Sequence, residues 1–291
     1  MEDKRKLRNG DQMKTQRLLG LAAFVFLLSI TSISAQVKRT ITKTEIVDFG
    51  PGGTLTVTGA PNGSIRIVGA QTKEVEIVAT IELEAPNAAG LDKLAEVTGF
   101  VAEGSASRVV ITSIGTHAKQ LLKKSGKKLP KELLGLPFRI DYVIRVPRYI
   151  DLEIDGGKGD LAVENIEGSM RINFLESNAK VAIISGSINL TIGKGDVDVA
   201  FAARGWRSRL VNIQVAAGDL NVHLPPNLSA DLDAVVLRTG SIENNFPDLK
   251  PRDRKVPFTE RAIIAKAGVG GVSLKFSVGD GTLRLDKLVL P

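Results

Sequence analysis

The sequence predicts an all-β chain folded as a right-handed parallel β-solenoid (β-helix) with short coils and a small helical insertion. Three observations predict it. A nine-residue frame recurs five times from Gly159 without a slip, apolar residues hold its third and fifth positions, and glycine, 29 of 291 residues, gathers where frames begin.

The frames are GDLAVENIE (159–167), GSMRINFLE (168–176), SNAKVAIIS (177–185), GSINLTIGK (186–194) and GDVDVAFAA (195–203). Their third positions are Leu161, Met170, Ala179, Ile188 and Val197; their fifth are Val163, Ile172, Val181, Leu190 and Val199. Apolar residues at three and five, alternating with polar or small ones at two and four, give the period of a half-buried strand. A leading glycine permits a sharp corner. Five extended residues span about 17 Å, and the remaining residues suffice to turn. Similar units begin at Gly53, Gly63, Gly218, Gly240, Gly271 and Gly281. An antiparallel meander or sandwich also spaces its strands by eight to twelve residues. The stacked reading is favoured because like residues in register build a continuous core, which a meander does not require.

The remaining elements follow in chain order. Residues 1–35 have the plan of a secretory signal peptide: basic Lys4, Arg5, Lys6, Arg8, Lys14 and Arg17, an uncharged run from Leu18, then small residues to Ala35. An uncleaved membrane anchor is the alternative. Residues 36–146 form an N-terminal β region, with strands at 74–84, 108–114 and 138–146 and a short helix at 88–97. The segment 115–137 is a helical insertion, broken at Ser125-Gly126 and restarted at Pro130. Residues 147–291 form the strand-repeat solenoid, continuous with the N-terminal region; 246–262, with Pro247, Pro251 and Pro257, is a loop. The coil ends need capping, because an open end leaves edge groups unpaired.

Charge is local. The net charge is +7, of which residues 36–291 carry +4 and 117–135 alone carry +5. Lys119, Lys123, Lys124, Lys127, Lys128 and Lys131 make that patch, a candidate contact for an anionic surface such as lipid head groups. No helix-turn-helix, zinc finger or aromatic-studded strand accompanies it, so no nucleic-acid partner is expected. Zero cysteines exclude disulfide scaffolds, cysteine-zinc sites and thiol nucleophiles, and two histidines exclude a multi-histidine metal site.

Sharper chemistry finds little support. A calcium β-roll repeats a double glycine and an aspartate in each turn, and after Gly156-Gly157-Lys158-Gly159 the required aspartate is Leu161. Asp160, Asp196 and Asp219 follow corner residues, where a local Asx turn is the plain explanation. Asp151, Glu153, Asp155 and Asp160 could cluster on one edge as glycosidase carboxylates, yet short frames leave little room for the loops that build a cleft, and solvated edge charges are the favoured account. His117 and His223 have no serine or acid at triad spacing, and no phosphate-binding glycine loop is present. No cofactor is expected.

The run Asp141-Tyr142-Val143-Ile144-Arg145-Val146-Pro147 before Leu152-Glu153-Ile154 resembles the bacterial putative-adhesin family of β-strand-repeat proteins, a domain of unknown function. So do the Gly-Asp and Gly-Ser units and the ending from Gly268 to Leu285. The likeness covers about Gly53 to Lys287. It implies an exported, non-enzymatic β-solenoid and carries over no catalytic residues. The expected role is thus a cell-envelope or surface interaction module, periplasmic, surface-bound or extracellular, with a protein or glycan partner and possible self-association at coil ends. A carbohydrate-active enzyme on the same scaffold is the alternative.

Overall fold

The computed structural model describes residues 36–124, 129–202 and 210–289; the expected leader, Lys127, Lys128 and Trp206 lie outside them. Strand β1 (Val37–Asp48) is followed by β2 (Thr54–Thr58), β3 (Ile65–Ala70) and β4 (Glu74–Ala85). Helix α1 (Ala88–Val97) leads to β5 (Gly99–Ser105) and β6 (Arg108–Ile114). Helix α2 (Lys119–Lys124) and a 3-10 turn (Lys131–Leu133) precede β7 (Phe138–Pro147). The repeat region supplies β8 (Asp151–Lys158), β9 (Leu161–Glu167), β10 (Met170–Glu176), β11 (Ala179–Ser185), β12 (Ile188–Lys194) and β13 (Val197–Phe201). It continues through β14 (Leu210–Ala217), β15 (Leu220–Leu224), β16 (Ala230–Thr239) and β17 (Ile242–Asn244). The last strands are β18 (Lys250–Pro251), β19 (Ala262–Ala267), β20 (Val272–Asp280) and β21 (Leu283–Lys287).

Two sheets hold these strands. The first runs β1-β4-β7-β3-β9-β11-β13-β15-β21-β17, and the second β18-β19-β16-β20-β14-β12-β10-β8-β2-β6-β5. From β8 to β15 each frame alternates between sheets, so the strands that pair lie two frames apart. Leu152, Met170 and Ile188 are direct partners in the second sheet, and Leu161, Ala179 and Val197 in the first, all in parallel ladders. The third and fifth frame positions all point inward and are at most 2% exposed. A further inward column holds Phe174, Ile183, Ile192 and Phe201. In the first frame that place would fall on Asn165, but Asn165 adopts φ 58° and the β9 register shifts there, so Ile166 turns inward instead. The buried side chains of both sheets form one continuous core, and full burial of each large aliphatic or aromatic chain stabilises by about 1.5–3 kcal/mol.

A purely parallel architecture is corrected by the structure: both sheets are mixed. Beyond the parallel ladders, β1, β4 and β7 pair antiparallel, as do β5 with β6 and β16 with β19 and β18. The antiparallel strands take up the free backbone groups of the last parallel strand, and β1, β5 and β18 become the new edges. Helix α1 adds to the N-terminal cap: the Asn87 side chain accepts from Gly90 N–H (2.8 Å), and Leu91, Leu94 and Val97 are buried.

The rungs do not follow chain order at the ends. The pair β6/β7 lies outside β2/β3, and β16/β17 lies outside β20/β21. The chain therefore leaves a place beside β14 and β15, builds β16 to β19, and returns to fill it with β20 and β21. Within 246–262, expected to be a loop, β18 extends the second sheet, and Phe246 and Leu249 are buried.

Stacked corners explain the glycines. An added Cβ at Gly218 would overlap the carbonyl oxygen of Gly195 on the rung beside it, and one at Gly281 would overlap that of Gly218. Gly218 also sits at φ 136°. Gly218→Ala should therefore cost about 3 kcal/mol or more in urea unfolding. Gly99→Ala, where an added Cβ meets nothing within 4 Å, should stay within about 0.5 kcal/mol.

Candidate interaction faces

The corner beside the first sheet is held by side chains as well as by close backbone approach. Asp196 N–H donates to Asn178 Oδ1 (3.2 Å), Asp219 N–H to Asp196 Oδ1 (2.9 Å) and Thr282 N–H to Asp219 Oδ1 (2.8 Å). The acceptors thus serve the adjoining rung. This corrects the local Asx turn expected at Asp196 and Asp219: when rungs stack, the nearest free donor lies across the stack and not two residues along the chain. At the N-terminal end Asp141 Oδ1 accepts from both the N–H and the hydroxyl of Ser64 (2.6 Å each), and Asp141 Oδ2 from Arg139 Nε (2.7 Å).

Side chains on the outer face of the first sheet largely satisfy one another. Arg66 pairs with Glu164 (3.2 Å) and Asp198 with His223 (3.2 Å). Arg284 reaches Glu243 (2.7 Å), Asp219 (3.1 Å) and Asn221 (3.3 Å), while Asn245 donates to Asp286 (2.8 Å). Ala162, Ala182 and Ala200 lie half-buried in the same face.

The outer face of the second sheet differs. Strand register sets Glu153, Arg171, Asn189, Asn212 and Lys275 in one column, and Asp155, Asn173, Thr191, Gln214 and Ser277 in the next. Adjacent strands lie about 4.8 Å apart. Amides link along and between the columns: Asn173 donates to Asp155 (2.8 Å), Asn212 to Asn189 (3.3 Å) and Gln214 to Asn212 (3.5 Å). Arg171, Thr191 and Lys275 have no side-chain hydrogen bond or ion pair among the described residues, and all three are exposed.

The suspected carboxylate cluster separates. Asp151, Glu153 and Asp155 line the outer side of β8, and each is engaged: Asp151 by Ser169 N–H (2.7 Å), Glu153 by Thr56 (3.2 Å) and Arg108 (3.5 Å), Asp155 by Asn173. Asp160 lies at the turn into β9, lining a depression of about 340 Å3 with Lys158, Glu176, Asn178 and Lys194. Among the described residues no three His, Asp or Glu side chains gather as metal ligands. His223 belongs to the first-sheet network. His117 stacks on Phe138 (centroids 5.5 Å apart), and burial holds its pKa below the ordinary value.

Of the lysine patch, Lys119, Lys123 and Lys131 are exposed on α2 and the 3-10 turn. Lys124 closes α2, and Lys127 and Lys128 fall outside the described residues. The exposed Leu121 and Leu134 beside the patch were not singled out from the sequence. Nor was the buried bond between Tyr142 and Ser113 (2.7 Å); burial raises the Tyr142 hydroxyl to about 12 against the lowering effect of that bond. The alternation of Ile140, Tyr142 and Ile144 was the available sign that Tyr142 faces inward.

Two carboxyls couple the fold to acid. At Asp141 partial burial pushes the pKa up, but the bonds from Arg139 and Ser64 outweigh it and hold the group below the usual range. At Asp280 the bonds from Arg238 and Thr239 lower it to about 2. A folded-state pKa below the unfolded one means the stabilisation is complete above about pH 4 and is lost as pH falls through the folded value. Wild type should be more stable than Asp141→Asn at neutral pH, and the gap should narrow as pH falls through the carboxylate range, as read by urea midpoints across the acid range.

No family model matches the chain, and no curated protein does. Among solved structures it aligns with a "putative cell adhesion protein" from Clostridium sporogenes, over 86% of this chain and 100% of that one, at 14% identity and TM-score 0.44. A "putative adhesin" from Bacteroides fragilis aligns over 85% and 97%, at 11% identity and TM-score 0.36. A "putative lipid binding protein" from Parabacteroides distasonis aligns over 85% and 97%, at 10% identity and TM-score 0.33. Two of these three carry the adhesion description that the sequence resemblance leads one to expect.

Proposed function

We propose that the chain is an exported, non-catalytic interaction module of the cell envelope or surface, a right-handed parallel β-solenoid in its repeat region, which engages a glycan or protein through the outer face of its second sheet. The handedness follows the strong preference of parallel β-crossover connections. The observation that carries the functional reading is the contrast between the two outer faces. Most charges on the first sheet are spent on one another, with Lys180 the exception, whereas on the second sheet Arg171, Thr191 and Lys275 stand exposed together without side-chain partners amid amide ladders. A ligand gains most from groups that need not first give up an existing bond. The carboxylates of β8 support the non-catalytic reading, since each already has a donor and the row extends along one strand instead of converging across a cleft. Export rests on the leader-like plan of residues 1–35.

The test is retention of the chain on a panel of envelope polysaccharides and envelope proteins. Retention by at least one component is expected, falling on the order of tenfold in Arg171→Glu/Lys275→Glu and not in Lys180→Glu on the other sheet. Release of shortened glycan products, or equal retention of both variants, would contradict the reading.

A further inference from the structure

The chain enters the described fold at one corner of the N-terminal cap. There β1 pairs with the end of β4, Val37 with Ala85 and Lys38 with Glu84. Glu84 N–H donates to Pro137 O (3.2 Å), and Phe138 begins β7 opposite Leu83. The 115–137 insertion returns to this same corner. Its His117 ring stacks on Phe138, its Leu122 and Leu133 are 1% and 2% exposed, and its 3-10 turn packs against α1. The insertion is therefore anchored to the fold within two strands of Val37.

What it presents outward is basic, with apolar side chains in the same segment. Lys119, Lys123 and Lys131 are exposed and have no carboxylate partner among the described residues. Neighbouring basic residues on β1 are already paired, Lys38 with Glu84 (2.5 Å) and Arg39 with Asp92 (2.8 Å). In the same two short elements Leu121 is 38% exposed, on the flank of the helix away from Lys119 and Lys123, and Leu134, just past the 3-10 turn, is 50% exposed. Free ammonium groups with interspersed apolar side chains suit a surface that is anionic outside and apolar just beneath, where long-range attraction and shallow burial act together. An acidic polysaccharide satisfies the lysines and leaves the leucines wet.

We propose that the corner bearing Lys119, Leu121, Lys123, Lys131 and Leu134 docks on the anionic head-group surface of a lipid bilayer. The site is separate from the second-sheet face, so a module held by this corner keeps that face free for its partner.

Full-length protein is titrated with vesicles of neutral phosphatidylcholine and with vesicles containing about one third phosphatidylglycerol. The reading is the ratio of the two affinities, since the N-terminal apolar run acts on both vesicle types. Each basic residue near an anionic surface contributes roughly fivefold. Lys119→Gln/Lys123→Gln/Lys131→Gln should therefore lower the ratio by on the order of a hundredfold. Salt near 1 M, where screening length falls to about 3 Å, should do the same in wild type. Leu121→Ser/Leu134→Ser should weaken binding to anionic vesicles severalfold with no change in thermal midpoint. Arg171→Glu/Lys275→Glu should bind vesicles as wild type does, which separates failure here from failure of the second-sheet reading. A ratio unchanged in the lysine variant, vesicle binding indifferent to both leucines, or preference for a soluble acidic polysaccharide over anionic vesicles would overturn the proposal.

Discussion

The structure depends on the close approach of neighbouring rungs at their corners. Where Gly218 passes Gly195, and Gly281 passes Gly218, the backbone of one rung lies against the carbonyl of the next with no space for a side chain. Backbones this close must stay in register, because a slip by one residue would bring a Cβ to the crossing and turn every core side chain outward. The acceptors at Asn178, Asp196 and Asp219 reinforce that register by bonding across the rungs. Core columns and outer columns both follow from it. Met170 meets Ile188 inside the second sheet for the same reason that Arg171 meets Asn189 outside it.

The same parallel stacking creates the difficulty at the ends. Three of the four sheet ends carry antiparallel strands, β1 and β4 beside β7 and β5 beside β6 at one end and β19 with β18 beside β16 at the other, while the first sheet closes there on β17, parallel to β21. At each end the excursion that builds the cap also displaces one rung from chain order. The final rung, β20 and β21, pairs on both sides, with β14 and β15 and with β16 and β17. Its contacts are nonlocal on every side, so this end can close only after the strands on both flanks are laid down.

The repeat was legible in the sequence because its two determinants are local. Corner glycines and apolar residues at positions three and five appear in the string at fixed spacing, and Leu161 to Val199 point inward as that spacing predicts. Two of the outer-surface columns were legible by the same alternation. Other features have no local signature. Nothing near Asp219 announces that its acceptor serves Thr282, since that partner is defined only once rungs stack. The exchange of rung order at both ends is set by pairings between distant segments. The Asn165 bulge breaks the frame by one residue, and only the burial of Ile166 makes its purpose visible. The contrast between the two outer faces likewise arises only in the folded arrangement. Arg284 and Arg171 look alike as sequence, yet one has three polar partners and the other none among the described residues.

Cross-linking tests the stacked register most directly, and the chain contains no cysteine to confuse it. Asn173 and Thr191 are direct partners on neighbouring parallel strands, whereas Ala182 lies on the strand that follows β10 in the chain and belongs to the other sheet. Paired positions about 4.8 Å apart are within the Cα separation a disulfide accepts. The account predicts that Asn173→Cys/Thr191→Cys oxidises to an intramolecular disulfide in the native protein and that Asn173→Cys/Ala182→Cys does not. Efficient cross-linking of 173 to 182 with none of 173 to 191 would place successive strands side by side and contradict it.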